Sequence, residues 1–374
     1  VFNLYIGGQI REEHIKQNNQ KGQLEMDSQL SGGFLKHTLY PPSNFIPSSI
    51  TLSNGVNVSH NAIGVVEITP PMADKAIVIS SGIHGDETAP IELVDDLVSS
   101  VLDEAFVPTS RLLFIIAHPD AIHAHTRFIE ENLNRLFAGI NPQRNKECEM
   151  ANELQAQVQS FFEKGSEEPW HFDLHSAIRA SQHYMFGVVP ASSKATDIRP
   201  LVNFLKASHM DAVMFSRTPS STFSWFSAEK FGALAATFEM GRVARLYENN
   251  MDEFVPLRDA LVALMCGKAL PEPSAVKSFS IYKVTRTITK TDAAFNLAFS
   301  DDAANFTYFV EGAQLAEENG TLYSAIAGGE AVVFPNSKVA IGQRAALLVQ
   351  PFEPDLSKPL YVNVERDPGP VAFS

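Results

Sequence analysis

The chain has 374 residues, 45% of them hydrophobic and 19% charged, which is the composition of a soluble globular protein with room for a large core and a smaller second unit. Its formal net charge of −14 argues against nucleic-acid or anionic-membrane binding, both of which need basic surface. No apolar run reaches the ~18 residues of a membrane span, and the two cysteines, Cys148 and Cys266, have no CxxC or Cys/His spacing, so they read as free thiols of a reducing compartment.

Residues 1–33 are polar, with weak helical patterning around Ile10 to Ile15. The first residue is Val1, and Met26 is an alternative start. Residues 1–25 are therefore either a non-native upstream extension or an arm that packs on a partner subunit. The opening Val1–Gly8 is too short, and too polar afterwards, for a secretory signal, so a cytoplasmic location is expected.

Strand candidates follow at Asn57 to Thr69, Ala76 to Ile83, Arg111 to His118, His171 to Ser176, His183 to Val189, Ala212 to Ser216 and Leu234 to Met240. Several are unbroken apolar runs rich in β-branched residues, the pattern of strands buried on both faces. Between them, Ala89 to Leu102, Cys148 to Phe162, Thr196 or Asp197 to Ser208, and Phe254 to Cys266 carry helical spacing. This alternation predicts an α/β domain over 34–270 with a parallel or mixed sheet flanked by helices. Pro271-Glu-Pro-Ser274 reads as a linker. Short alternating runs after it (Ser278 to Lys290, Asn305 to Val310, Ala331 to Phe334, Arg344 to Gln350) predict a smaller C-terminal all-β domain over 271–374.

The strand candidate from Ala76 ends in His84-Gly-Asp-Glu87, and a second one ends in Asp173-Leu-His175. Ligands collect at the carboxyl ends of strands in open α/β sheets. Imidazole and carboxylate are zinc ligands, and catalytic zinc needs three of them plus an open position. His84, Glu87 and His175 form such a set, although a lone HxxE is common by chance. His118, at another strand end, is the rival ligand. Asp173 shares a strand face with His175 and suits either orientation of that ligand or substrate binding. Glu239 stands in the apolar run Ala235-Ala-Thr-Phe-Glu-Met-Gly, where a carboxylate needs a task or a partner. General base is one reading, and a pair with Arg242 the other. Arg127, Asn134 and Arg135 lie in a loop, and Arg179 falls just past a strand. Arginine binds carboxylates bidentately and steadies oxyanions, while exposed salt bridges are the alternative use.

Taken in order, Gly82-Ile-His84-Gly-Asp-Glu87-Thr-Ala-Pro, Ala124-His-Thr-Arg127-Phe, Glu131-Asn-Leu-Asn134-Arg135-Leu-Phe, Asp173-Leu-His175-Ser-Ala-Ile-Arg179, Ser220-Ser-Thr-Phe-Ser-Trp and Phe238-Glu239-Met-Gly-Arg resemble the succinylglutamate desuccinylase and aspartoacylase family, a branch of the zinc-carboxypeptidase-like hydrolases. The resemblance runs from about Phe34 to Gln350, including Val333-Phe-Pro-Asn and Ile341-Gly-Gln-Arg-Ala-Ala in the C-terminal region. It implies a zinc-carboxypeptidase-like mixed sheet and one Zn(2+) per subunit on His84, Glu87 and His175. It also implies a catalytic Glu239 and a substrate loop of Arg127, Asn134 and Arg135. An aspartoacylase carboxylate-binding arginine shortly before the catalytic glutamate has no counterpart, and Ser220 to Ser227 carries hydroxyls and aromatics there. The implied reaction is hydrolysis of N-succinyl-L-glutamate to succinate and L-glutamate in arginine catabolism. Another N-acyl amino acid deacylase, a zinc carboxypeptidase or a dicarboxylate-binding protein are the alternatives. A small anionic substrate is the expected partner, with homo-oligomerisation open.

Overall fold

The computed structural model describes Leu30 and residues 32–273 and 278–365. The expectations for residues 1–29 and for Ser274 in the linker lie outside them.

Nine strands build the front part of a large mixed sheet: β1 (Ser48–Thr51), β2 (Asn57–Ala62), β3 (Val65–Thr69), β4 (Lys75–Ser81), β5 (Arg111–Ile116), β6 (Glu168–Ala177), β7 (Met185–Val189), β8 (Ala212–Phe215) and β9 (Leu234–Arg242). Among the described residues seven α-helices accompany the chain: α1 (Phe34–Leu39), α2 (Thr88–Leu102), α3 (Pro119–Ala124), α4 (Lys146–Glu163), α5 (Arg199–Ala207), α6 (Phe223–Phe231) and α7 (Val255–Met265). The run Asn57 to Thr69 is a hairpin, because Gly64 at φ 73° turns the chain where an added Cβ would strike the Ile116 carbonyl. Thr222 accepts from the Trp225 N–H and starts α6, a helix absent from the candidates above.

The centre, in spatial order β5-β4-β6-β9, is parallel. The chain leaves β4 on one side for β5 and returns on the other for β6, so a crevice opens at the carboxyl ends of β4 and β6. Both faces of these strands are covered. Ile77, Ile79, Phe172 and Phe238 share one apolar cluster with α2, α5 and α7, and Val78, Leu113 and Phe161 share another with α4 and α6. The strand Arg111–Ile116, apolar after its first residue and buried at every position, follows from that two-sided cover.

After 277 come β10 (Ser280–Thr289), β11 (Asn296–Leu297), β12 (Thr307–Phe309), β13 (Gln314–Glu318), β14 (Thr321–Ser324), β15 (Glu330–Val333) and β16 (Arg344–Pro351). This region is all-β, but it does not stand apart. Strand β10 pairs in parallel with β8 through Ser280 to Lys283, and β16, β15 and β12 extend the same sheet to thirteen strands. Only β11, β13 and β14 form a separate three-stranded sheet among the described residues.

Candidate metal centre and arginine cleft

Strand β4 ends at Ser81, and the next residues turn into α2. Gly85 makes this turn possible, since a Cβ there would come within 2.1 Å of the Ala121 carbonyl carbon. The turn carries His84 inward and puts Glu87 at the N-cap of α2, its carboxylate aimed into the crevice rather than back at the helix. His175, near the end of β6, faces both. His84 Nδ1 lies 2.9 Å from Glu87 Oε1, His175 Nδ1 lies 2.7 Å from Glu87 Oε2, and the two Nδ1 atoms are 3.2 Å apart. All three residues are buried, and one ligand atom from each falls within 4.8 Å of the others, so the group can hold a metal ion.

The outer nitrogens are already engaged. His175 Nε2 is 2.9 Å from Asp173 Oδ2, and His84 Nε2 is 3.0 Å from Asn132 Oδ1. A proton on each Nε2 satisfies those oxygens and leaves both Nδ1 lone pairs pointing inward. Asp173 is in turn held by the Ser80 hydroxyl at 2.7 Å, across the β4/β6 register. Two imidazole nitrogens and a carboxylate, oriented from behind, fit a borderline transition-metal cation that keeps an open coordination position.

The same geometry sets the charges. Burial opposes ionisation of Glu87, but His84 and His175 outweigh it and hold its carboxyl well below the usual range. For His175, burial is outweighed by Asp173 and Glu87, which raise it well above an ordinary histidine. Burial dominates at His84 and lowers it. Metal binding would require the inward-facing nitrogens and the Glu87 carboxylate to be free of protons.

Glu239 lies directly across from His175 in the β6/β9 register and is half-buried. Among the described residues it makes no salt bridge, with Arg242 or any other, so it faces the crevice as a free carboxyl. Burial, then the nearby Glu87 charge, pushes it up to about 7. A cation on the three ligands draws that value down again.

Arg127 donates from Nη1 to Glu87 Oε1 at 2.7 Å. Its loop is pinned by Glu147, whose buried carboxylate accepts from the Ile129 and Glu130 N–H groups at 3.0 and 2.8 Å. Asn134 sits in a 3-10 turn over Leu133–Arg135, 3.3 Å from His175 Nε2, and accepts from the Phe223 N–H at the start of α6. Arg135 stands beside it, solvent-reached yet hemmed in, and burial followed by Arg127 lowers its pKa. Arg179 is turned toward the C-terminal region, where its Nη1 donates to the Asp301 carbonyl. His118 caps α3 and lies 3.4 Å from Glu147, away from the ligand trio.

The structure thus brings His84, Glu87, His175, Glu239, Arg127, Asn134 and Arg135 together. Sequence reasoning passed over Asn132, Ser80, Glu147 and Arg344. Asn132 lies within the run Glu131-Asn-Leu-Asn134-Arg135, so its place beside the site is legible from its neighbours. Glu147 looks like any acidic residue in a first helical turn, and only the fold reveals what it holds.

A central mixed sheet with a three-donor metal site at its switch point and a free carboxyl beside it defines a metal-site α/β protein built for hydrolytic chemistry. The comparisons narrow this. Residues 73–265 match the succinylglutamate desuccinylase/aspartoacylase catalytic domain, and residues 277–352 match the AstE/AspA barrel-sandwich hybrid domain. The succinylglutamate desuccinylase of Vibrio vulnificus (strain CMCP6) is 45% identical over 324 residues, which is 84% of this chain and 93% of that protein. A crystal structure of succinylglutamate desuccinylase from Vibrio cholerae superposes with a TM-score of 0.81 at 40% identity, covering 87% of this chain and 96% of that one. The Vibrio parahaemolyticus X-ray structure gives 0.79 at 42%, with the same coverage of 87% and 96%. The chain belongs to the succinylglutamate desuccinylase/aspartoacylase family.

Proposed function

We propose that this protein hydrolyses the amide of N-succinyl-L-glutamate, giving succinate and L-glutamate, with one zinc ion held by His84, Glu87 and His175. The observation that carries this is the free carboxyl of Glu239 directly across from His175, beside a donor trio whose lone pairs converge. When bound, zinc supplies Lewis acidity toward the scissile carbonyl and lowers the pKa of water toward neutrality.

Glu239 takes the proton of the attacking water and returns it to the leaving nitrogen as the C–N bond breaks. Arg127 presents its guanidinium to the oxygen on which negative charge develops. Asn134 and Arg135 bind a substrate carboxylate, and the remaining donors of Arg179 serve a second one. N-succinylglutamate has three carboxylates, which accounts for several arginines converging in a protein of net charge −14. Residues 34–270 form the catalytic domain and 271–374 a C-terminal β domain and tail. The reaction closes the succinyl route of arginine breakdown in the cytoplasm. Among the described residues no helix is long and apolar enough to cross a membrane.

Amine release by zinc-loaded protein from N-succinylglutamate, N-acetylglutamate and N-acetylaspartate tests this reading. Turnover should be strongest on the succinyl substrate and vanish with a chelator. Preference for N-acetylaspartate would move the protein to the aspartoacylase side of the family.

A further inference from the structure

The C-terminal β region reaches into the crevice. Asn305 joins it to the segment that follows β6: its N–H donates to the Ala180 carbonyl at 2.9 Å, and its carbonyl accepts from the Gln182 N–H at 3.0 Å. The Asn305 side chain accepts from the Phe334 N–H at 2.8 Å, and Phe334 takes φ 54°, a left-handed conformation a bulky residue rarely adopts. Held that way, its ring packs 5.9 Å from Phe186, the residue directly across from Glu239 in the β7/β9 register. The Arg344 guanidinium lies over the Phe334 ring, 5.6 Å from its centroid. The side chain is solvent-reached, at the first position of β16.

Arg344 has no carboxylate salt bridge among the described residues, and neither does Arg135, whose Nη1 donates only to the Asn134 carbonyl. Yet the two guanidiniums feel each other. Burial, then Arg135, pushes Arg344 down to about 10, with Glu239 pulling the other way. Guanidiniums without salt-bridge partners, one of them resting on the ring that packs against Phe186 across from Glu239, suit an anion in the crevice.

We propose that Arg344 binds one carboxylate of the substrate jointly with Arg135, so that the C-terminal region supplies part of the substrate pocket. This rests on the hydrolase reading above and adds a specificity-determining residue to it. Aromatic support from Phe334 fixes the guanidinium plane and lowers the conformational freedom lost on binding.

The test crosses enzyme variants with substrates. Wild type, Arg344→Met and Arg344→Lys are assayed on N-succinylglutamate and on three analogues, each with one carboxylate replaced by a neutral amide. Zinc content and thermal melts check that each variant is folded. Arg344→Met should lower kcat/KM on the parent by about 100-fold, mostly through KM. It should have little further effect on the one analogue whose amide sits at Arg344, and Arg344→Lys should recover part of the loss. An equal loss on all four substrates, or no loss on any, overturns the proposal. Calorimetric titration with succinate and with L-glutamate reads the same residue without turnover. Arg344→Met should weaken one of the two at least tenfold, and unchanged affinity for both overturns it. Wild type that turns over none of the four substrates sinks the hydrolase reading, while the calorimetry still decides the arginine.

Discussion

The two walls of the crevice hold charge in opposite ways. On the metal wall, each charged group is locked by another: Glu87 between His84 and His175, and His175 between Glu87 and Asp173. On the arginine wall, Arg135 and Arg344 make no salt bridge among the described residues, and the charge of Arg135 bears on Arg344. The first wall is satisfied within itself, and its donor set fits a cation. The second is left unsatisfied, so an anion completes it. Arg127 bridges the two, since it stands in the arginine loop but donates to the metal-wall carboxylate.

The sharpest way to break this comparison is at the residue between the walls. Glu239→Gln should lower kcat on N-succinylglutamate by about 10³–10⁴-fold while bound zinc, read by atomic absorption, stays stoichiometric. Loss of zinc along with activity would place Glu239 in the metal wall instead. Asp173→Asn tests whether the metal wall is one interlocked unit. It should weaken zinc affinity about 10–100-fold in a chelator competition. Arg135→Met tests the other wall in isolation: KM should rise about 10–100-fold with zinc affinity unchanged.

A smaller effect sharpens the contrast with a histidine outside both walls. His60 is buried between the edges of Phe34 and Phe45, and burial pushes it down to about 4 from 6.5. Below 6.5 the unfolded chain takes up a proton that the folded one refuses, so its contribution is full above pH 6.5 and lost as pH falls toward 4. A shift of that size corresponds to about 3 kcal/mol. His60→Phe should flatten the fall of the thermal midpoint between pH 6.5 and 4, measured by calorimetry. An unchanged slope would assign that fall to other groups.

How far the sequence reaches differs between the same two walls. His84, Glu87, His175 and Glu239 were legible because each is a polar residue placed where an apolar strand run ends or is interrupted, and the sheet orders strand ends at one crevice. The central strands and four helices were legible for the same reason, since two-sided burial leaves a pattern in every few residues. Arg344 stands in the family-like run Ile341-Gly-Gln-Arg-Ala-Ala, but that run gave it no role. Its position depends on Asn305 and Phe334 folding back on the β6 segment across more than a hundred residues of chain, and no local pattern encodes that. Helix α6 was hidden by a hydroxyl-rich start whose capping role shows only once Thr222 is seen to accept from Trp225. The change of composition near Pro271 marked a new type of structure correctly, but a composition shift says nothing about which strands pair across it.

That pairing has a consequence during synthesis. Strand β8 meets β7 on one side and Ser280 to Lys283 of β10 on the other. A nascent chain released only as far as α7 would have His84, His175 and every front strand, yet β8 would stand as a bare edge with unpaired N–H and C=O groups. Such an edge templates pairing with the nearest strand of any chain, including another copy. The ribosome must therefore deliver some twenty more residues before the front part is safe from its neighbours, and a gene split after the catalytic stretch would yield a fragment prone to aggregate.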